Sequence, residues 1–202
     1  MLQHNVRLLT RPGHDVPPVK ARLASGNPHK LVELRRALDG WEIELIEDTD
    51  FPPETGSTYA ENARGKAEHG RASAPADAWV IGEDSGIEAD ALGGRPGLES
   101  ARWAGDGVAR LLGELARADD RRARYVCVIV ALGPGGETVE VEGTLTGTIA
   151  SGRSGSEGFG YDPIFVPEGE SSTVAQLGDA WKTAHSHRAR AAGALAAAVR
   201  ST

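Results

Sequence analysis

Two adjacent carboxylates, Glu83 and Asp84, follow the apolar run AWVI at 78–81 after a single glycine. The run predicts a strand, and open α/β sheets bind their ligands where strands reach their carboxyl ends. Like charges this close are unfavourable unless a cation neutralises them. Oxygen ligands without histidine or cysteine favour Mg²⁺ over zinc. The pair therefore predicts a Mg²⁺ site at the end of a strand.

A second candidate is the polar turn SGNPHK, which runs from Ser25 to Lys30 between a predicted strand and a predicted helix. Free backbone N–H groups at a helix N-terminus form an anion site, and Lys30 adds a full positive charge. The alternative is an ordinary turn with a solvated lysine.

The segment ETGSTYAENARGKA places Glu54 just before a predicted helix that carries Asn62 and Lys66. Residues four apart share one helix face, so these two side chains can reach a common ligand. The alternative is a surface ion pair beside a capped helix end, because Thr58 and Glu61 have the spacing of a capping box.

Two further segments carry an aromatic ring and a group of cations. GFGYDP places Phe159 between glycines, and an aromatic ring on such a loop can stack on a flat base; the alternative is a turn that anchors a core phenylalanine. WKTAHSHRARA collects Lys182, His185, His187, Arg188 and Arg190. The alternative there is a basic helix face, and a zinc site is disfavoured because histidines two apart on a helix diverge.

These features gain meaning in combination. An anion-binding turn, lysines, carboxylates suited to Mg²⁺ and an aromatic loop together describe a site for a nucleoside triphosphate.

The elements that must position these side chains alternate early in the chain and end in a long hairpin. Apolar periodicity predicts strands at 19–24, 41–46, 78–81, 124–132 and 137–149, and helices at 29–38, 58–72, 107–118 and from 179 onward. This order predicts a mixed α/β fold with a parallel part and an antiparallel part. We expect one domain over residues 19–202, preceded by a poorly ordered extension over residues 1–18.

Composition narrows the class of protein. The 202 residues carry a net charge of −7, which argues against a nucleic-acid groove, and 40 % are apolar, enough for a core. No stretch reaches the length of a membrane span, so neither nucleic acid nor a membrane is an expected partner. The single cysteine, Cys127, lies in an apolar run where packing is its expected role. Its being the only cysteine fits a reducing cytoplasm.

Five blocks in order resemble the inosine triphosphate pyrophosphatase family, which hydrolyses noncanonical purine nucleoside triphosphates. The blocks are SGNPHK, ETGSTYAENARGKA, EDSGIEADALGGRPGLESARWAG, GFGYDPIFVPEG and SHRARA. The resemblance implies an α/β fold with a long, curved mixed sheet, helices on its two sides, two lobes around a central nucleotide cleft, and a homodimer.

The resemblance also implies roles for individual residues. Glu54 and Asp84 would hold Mg²⁺, with Glu83 as a further candidate ligand, and Asp84 would activate water. The residues implied in substrate binding are Ser25, Gly26, Asn27, Pro28, His29, Lys30, Lys66, Ser85, Phe159, Gly160, Tyr161, Asp162, Lys182, His187 and Arg188.

Within that set the resemblance places the phosphates near the SGNPHK turn and the base against Phe159. The implied reaction converts ITP, dITP or XTP to the monophosphate and pyrophosphate. The family usually has aspartate where this chain has Glu83, and the longer side chain puts that ligand in question. The alternatives are a pyrophosphatase for other modified nucleotides, a catalytically silent nucleotide-binding regulator, and a metal-dependent phosphomonoesterase that would release orthophosphate.

Overall fold

The computed structural model describes residues 17–47, 51 and 53–201. The predicted N-terminal extension lies outside the described residues except for positions 17 and 18. The elements in chain order are β1 (Val19–Ala24), α1 (Pro28–Ala37), β2 (Trp41–Leu45), α2 (Tyr59–Arg71), β3 (Trp79–Ala89), α3 (Gly107–Glu114), β4 (Arg122–Leu132), β5 (Thr138–Ile149), β6 (Phe165–Pro167), α4 (Val174–His185) and α5 (His187–Val199).

The strands form one open six-stranded sheet in the order β2-β1-β3-β4-β5-β6. β1 pairs in parallel with β2 and β3, whereas β3, β4, β5 and β6 pair antiparallel in succession. The predicted α/β fold with a parallel and an antiparallel part is therefore confirmed. The described chain contains no helix long and apolar enough to cross a membrane.

The hydrophobic core divides into two main clusters that lie at opposite ends of the long strands. One cluster joins the parallel half of the sheet to α1 and α5, around residues such as Leu34, Ile129 and Ala191. The other joins the far ends of β3, β4 and β5 to α3 and β6, around Leu111 and Phe165. Two separately packed cores account for two lobes with a cleft between them.

The largest correction concerns the strand before the acidic pair. The predicted strand 78–81 is the beginning of β3, which continues to Ala89 and places Glu83 and Asp84 in its middle. Gly82 pairs with Ala24, the last residue of β1, and beyond that point β3 continues on β4 alone. The acidic pair therefore lies at the carboxyl end of β1 rather than at the end of its own strand.

Two helix predictions also need correction. The helix predicted over 107–118 ends at Glu114. The helix predicted from 179 is the second part of α4: Gly178 has non-helical φ and ψ angles of 84° and 176°, which separate this part from a first turn that begins at Val174. The predicted helix does not continue to the end of the chain, because α4 ends at His185 and the Ser186 hydroxyl accepts a hydrogen bond from the Ala189 N–H, which starts a new helix, α5. This restart directs the side chains at the beginning of α5 into the cleft.

Candidate active site

The SGNPHK turn connects β1 to α1 and is organised by its own side chains. Asn27 is the N-cap of α1 and accepts a hydrogen bond of 2.9 Å from the His29 N–H, while Pro28 occupies the first helical turn. The Ser25 hydroxyl accepts from the Asn27 N–H at 3.1 Å. No acidic residue lies in the first turn of α1. The positive end of the helix is therefore not neutralised locally, which suits an anion.

Two of the predicted metal ligands converge on one lysine. Lys66, on α2, forms an ion pair with Glu54 and lies 3.2 Å from Asp84 Oδ1. Asn62, one turn earlier, donates to Asp84 Oδ2 at 2.9 Å. Arg102 holds the second oxygen of Glu54. The predicted shared face of Asn62 and Lys66 is thus directed at Asp84.

The pKa values of the two carboxylates in this cluster, Asp84 and Glu54, are shifted in opposite directions. Burial raises the pKa of Asp84 above the usual aspartate range, against the opposing effect of Lys66. Burial alone would raise the pKa of Glu54 as well, but Lys66 and Arg102 outweigh it and the net direction is downward. Asp84 is therefore the more basic carboxylate of the two, and a proton acceptor benefits from that.

Glu83 lies on the opposite face of β3, because successive strand residues alternate sides. Its carboxylate is fully buried; one oxygen lies 2.5 Å from Lys30 Nζ, and the other lies 3.0 Å from an Arg188 nitrogen and 3.2 Å from the Cys127 thiol. Desolvation raises the pKa of Glu83, but Arg188 and Lys30 outweigh it and hold that pKa well below its usual range. The structure therefore does not bring Glu83 and Asp84 together at one metal site, as the sequence predicted, because the two side chains lie on opposite faces of β3.

Arg188 is enclosed by acceptors at the start of α5. It is 2 % exposed, donates to Glu83 and to the Ser85 hydroxyl at 3.0 Å each, and pairs with Glu33 of α1. Its Nε has no partner. Glu33 also lies 2.5 Å from Lys182. Sequence reasoning missed Glu33, although its position three residues after Lys30 on a helix places both on one face.

Arg188→Ala is expected to lower the free energy of unfolding by about 3–5 kcal/mol, because it leaves buried carboxylates short of a cation. Urea denaturation measures this. The matched control is Arg190→Ala, two residues further along, where an exposed guanidinium donates to the Thr144 carbonyl. Equal losses of unfolding free energy in the two variants would contradict the conclusion that Arg188 stabilises the fold by pairing with buried carboxylates.

The aromatic loop is held in place by Asp162, which is 2 % exposed. One Asp162 oxygen accepts from the Phe159 N–H at 2.8 Å and from Lys182 at 2.5 Å. The Lys182 ammonium lies 4.1 Å from the centre of the Phe159 ring. His29 stacks on the same ring at 5.1 Å. Asp162 therefore fixes the backbone that carries the ring.

Several other predicted residues complete the loop and its surroundings. The Tyr161 hydroxyl donates to the Ser100 carbonyl at 2.9 Å, and Gly160 adopts a positive φ of 62° that favours glycine. His187 is 5 % exposed, and burial together with Arg188 lowers its pKa well below the usual value, so its ring is neutral. The His187 Nδ1 has no hydrogen-bond partner.

A cleft of about 280 Å³ brings most of the predicted site residues together. They are Asn27, Lys30, Glu54, Asp84, Ser85, Phe159, Gly160, Tyr161, Asp162, Lys182, His187 and Arg188. The remaining predicted residues do not line the cleft themselves: Ser25, Gly26, Pro28, His29, Lys66 and Glu83. Tyr125, which the sequence did not single out, also lines the cleft. A larger groove of about 1250 Å³ lies elsewhere, along Glu88, Arg124 and Glu168, and shares only Leu98 with the cleft.

The residues present fit a hard divalent cation of the kind predicted. Two carboxylates, Glu54 and Asp84, face the cleft side by side. Over residues 17–47, 51 and 53–201, no three histidine, cysteine, aspartate or glutamate side chains form a metal-binding group. Mg²⁺ commonly uses one or two carboxylates and takes its other ligands from water and substrate phosphates, so two protein ligands suffice.

The chain belongs to the Ham1 family, whose model matches residues 21–198. A dITP/XTP pyrophosphatase from Gloeobacter violaceus is 44 % identical over 84 % of this chain and 88 % of its own length. The Staphylococcus aureus Ham1 protein superposes with a TM-score of 0.78 at 39 % identity, covering 90 % of this chain and 98 % of that one. A Mycobacterium abscessus structure described as a nucleoside-triphosphatase and dITP/XTP pyrophosphatase gives a TM-score of 0.67 at 39 % identity, covering 88 % and 97 %. The resemblance inferred from the five blocks is confirmed.

Proposed function

We propose that the protein hydrolyses noncanonical purine nucleoside triphosphates (ITP, dITP and XTP) to the nucleoside monophosphate and pyrophosphate. The observation that carries the proposal is that a single cleft brings two kinds of side chain together. Lys30, Glu54 and Asp84, which suit a triphosphate with its cation, line the same cleft as Phe159, Lys182 and His187, which suit a base. The names of relatives at 39–44 % identity support the same substrate class.

Glu54 and Asp84 would hold Mg²⁺. When bound, a divalent cation polarises a phosphoryl oxygen and lowers the pKa of water at the site. The chain itself supplies Lys66 beside both carboxylates, and desolvation, which alone would lower the pKa of Lys66, is outweighed by Asp84 and Glu54, so that its pKa is raised. Lys66 is therefore a permanent cation, available to the phosphates.

Asp84 accepts a proton from the attacking water. Asn62 donates to one of its oxygens, which fixes the carboxylate, and burial raises its pKa toward the range in which a base is effective. Lys30 and Lys66 stabilise the pyrophosphate that leaves, so electrostatic positioning suffices. Ser85 is not the nucleophile in this scheme, because its hydroxyl accepts from Arg188, which cannot take up a proton.

The purine stacks on Phe159, and the polar atoms around it select the base. Arg188 and Lys182 only donate hydrogen bonds, so they favour the keto oxygen of inosine and xanthosine over the amino group of adenosine. A buried site that leaves a polar group unpaired with the wrong base can discriminate by orders of magnitude. The unpartnered Nε of Arg188 is a donor without an acceptor in the protein.

Rates on a panel of ITP, XTP, ATP and a pyrimidine triphosphate test this proposal. We expect kcat/KM for ITP and XTP to exceed that for ATP by at least about 100-fold. Equal rates on ATP would contradict the assignment of the substrate class, and preference for a modified pyrimidine would favour a pyrophosphatase for other modified nucleotides.

Lys30→Ala and Lys66→Ala are each expected to weaken binding of a nonhydrolysable ITP analogue by about 10-fold or more, because each removes a charge-assisted contact to phosphate. Binding of IMP should change far less, since the monophosphate places less charge near these lysines. Competition assays measure both constants.

The control for the lysine variants is Lys20→Ala, which removes an exposed lysine paired with Asp77. It should leave both constants unchanged. Equal losses for the ITP analogue and IMP would mean that Lys30 and Lys66 do not bind the phosphates.

The homodimer implied by the resemblance is part of the proposal. The groove along Glu88, Arg124 and Glu168 is not filled by any described element of the chain, and its charges of both signs suit an interface between copies. Light scattering during gel filtration decides this, with twice the chain mass expected and the monomer mass contradicting it.

A further inference from the structure

Tyr125 of β4 is buried at 7 % exposure and lines the cleft, where it contacts both His187 and Asp162. Tyr125 and Cys127 are two residues apart on β4 and therefore face the same side of the sheet, the side that α5 covers. Its ring stacks on His187 with centroids 4.5 Å apart and planes only 6° from parallel. Phe165 packs against the same ring at 4.7 Å and 53°, so the orientation of the ring is fixed by its neighbours.

The hydroxyl of Tyr125 makes a separate contact. It donates to Asp162 Oδ1 at 3.2 Å, while the other oxygen of Asp162 accepts from the Phe159 N–H and from Lys182. Burial and Asp162 raise the pKa of Tyr125 well above its usual value, so the hydroxyl stays protonated and remains a donor. Tyr125 thus fixes Asp162, the residue that holds the Phe159 loop in place.

We propose that Tyr125 is a positioning residue that sets the spacing between the base-stacking ring and the base-reading residues. Its hydroxyl fixes the Phe159 loop through Asp162, and its ring fixes His187 at the start of α5. The inference rests on the proposed function, because it requires a base at this part of the cleft.

Tyr125→Phe removes the hydroxyl and keeps the ring. It leaves one oxygen of a buried carboxylate without its donor, which loosens the Phe159 loop. We expect KM for ITP to rise about 10-fold, the effect of losing a hydrogen bond to a charged group, while kcat stays within about twofold because the phosphates and Asp84 are untouched. Tyr125→Leu removes both contacts, and we expect a larger rise in KM and a smaller ITP/ATP ratio.

Two probes separate positioning of the base from general damage. Inhibition by IMP, which carries the base, should weaken in Tyr125→Phe by the same factor as KM. Inhibition by inorganic tripolyphosphate, which has no base, should not change. Tyr59→Phe is the matched control: it removes the hydroxyl of a half-buried tyrosine outside the cleft and should leave both inhibition constants unchanged.

The outcomes distinguish this inference from the proposed function. A wild-type protein that releases no pyrophosphate from ITP overturns the proposed function and this inference with it. An active wild type whose Tyr125→Phe variant keeps its KM and its IMP inhibition overturns the inference alone. Equal weakening of IMP and tripolyphosphate inhibition in that variant also overturns it, because Tyr125 would then support the whole site rather than the base.

Discussion

Asp84→Asn is expected to lower kcat for ITP by about 10²–10⁴-fold, the usual contribution of a general base. The substitution keeps the shape of the side chain, removes the proton acceptor and weakens the metal site. The fold should persist, because the uncharged amide still fills the space beside Asn62 and Lys66. Steady-state pyrophosphate release measures the effect, and thermal unfolding verifies that the variant is folded.

Glu88→Gln provides the matched control for Asp84→Asn. Glu88 lies four residues further along β3 on the same face, so the same change of charge is made on the same strand. It pairs with Arg124 at 2.8 Å, away from the cleft, and its loss should leave kcat within about twofold. Near wild-type turnover in Asp84→Asn would contradict the assigned base.

Removal of divalent cations is the second change with a large expected effect. Chelation should reduce turnover by at least about 10³-fold, since a cation at a phosphoryl centre stabilises the transition state by several kcal/mol. Added Mg²⁺ should restore the rate. Glu54→Gln should raise the Mg²⁺ concentration needed for half-maximal rate, because one of the two carboxylates loses its charge. Hydrolysis that resists chelation would exclude the metal role of Glu54 and Asp84.

Much of the fold was predictable because its signals are local. The continuous β-branched run of β4 predicts a strand buried on its two faces, and the spacing of Thr58 and Glu61 predicts the start of α2. Both are observed: the Thr58 hydroxyl accepts from the Glu61 N–H at 3.1 Å. Cys127 lies in the core as its apolar run predicts.

The continuation of β3 beyond Ile81 was not predictable from composition alone. Gly82, two acids, Ser85 and Gly86 have the composition of a turn, yet they continue β3. Gly82 is needed because α2 packs closely: a Cβ there would lie 1.9 Å from the Ala63 carbonyl oxygen. The glycine thus marks a close approach between helix and strand, and the two acids consequently face opposite sides of the sheet.

The ion pairs behind the cleft were beyond sequence reasoning for a different reason. Glu33 and Arg188 are 155 residues apart, and no periodic pattern links positions at that separation. Tyr125 lies at the start of the long apolar run of β4, so its hydroxyl gives no local signal. Such contacts depend on how α1, β4 and α5 meet, and only the folded chain specifies that.

The products formed from ITP test the central claim most directly. Purified protein with Mg²⁺ and ITP should yield IMP and pyrophosphate in equal amounts, without IDP or orthophosphate, and Asp84→Asn should remove nearly all of both products. Release of orthophosphate with IDP would contradict cleavage between the α- and β-phosphates, and binding of ITP without any product would identify a nucleotide-binding protein instead of an enzyme.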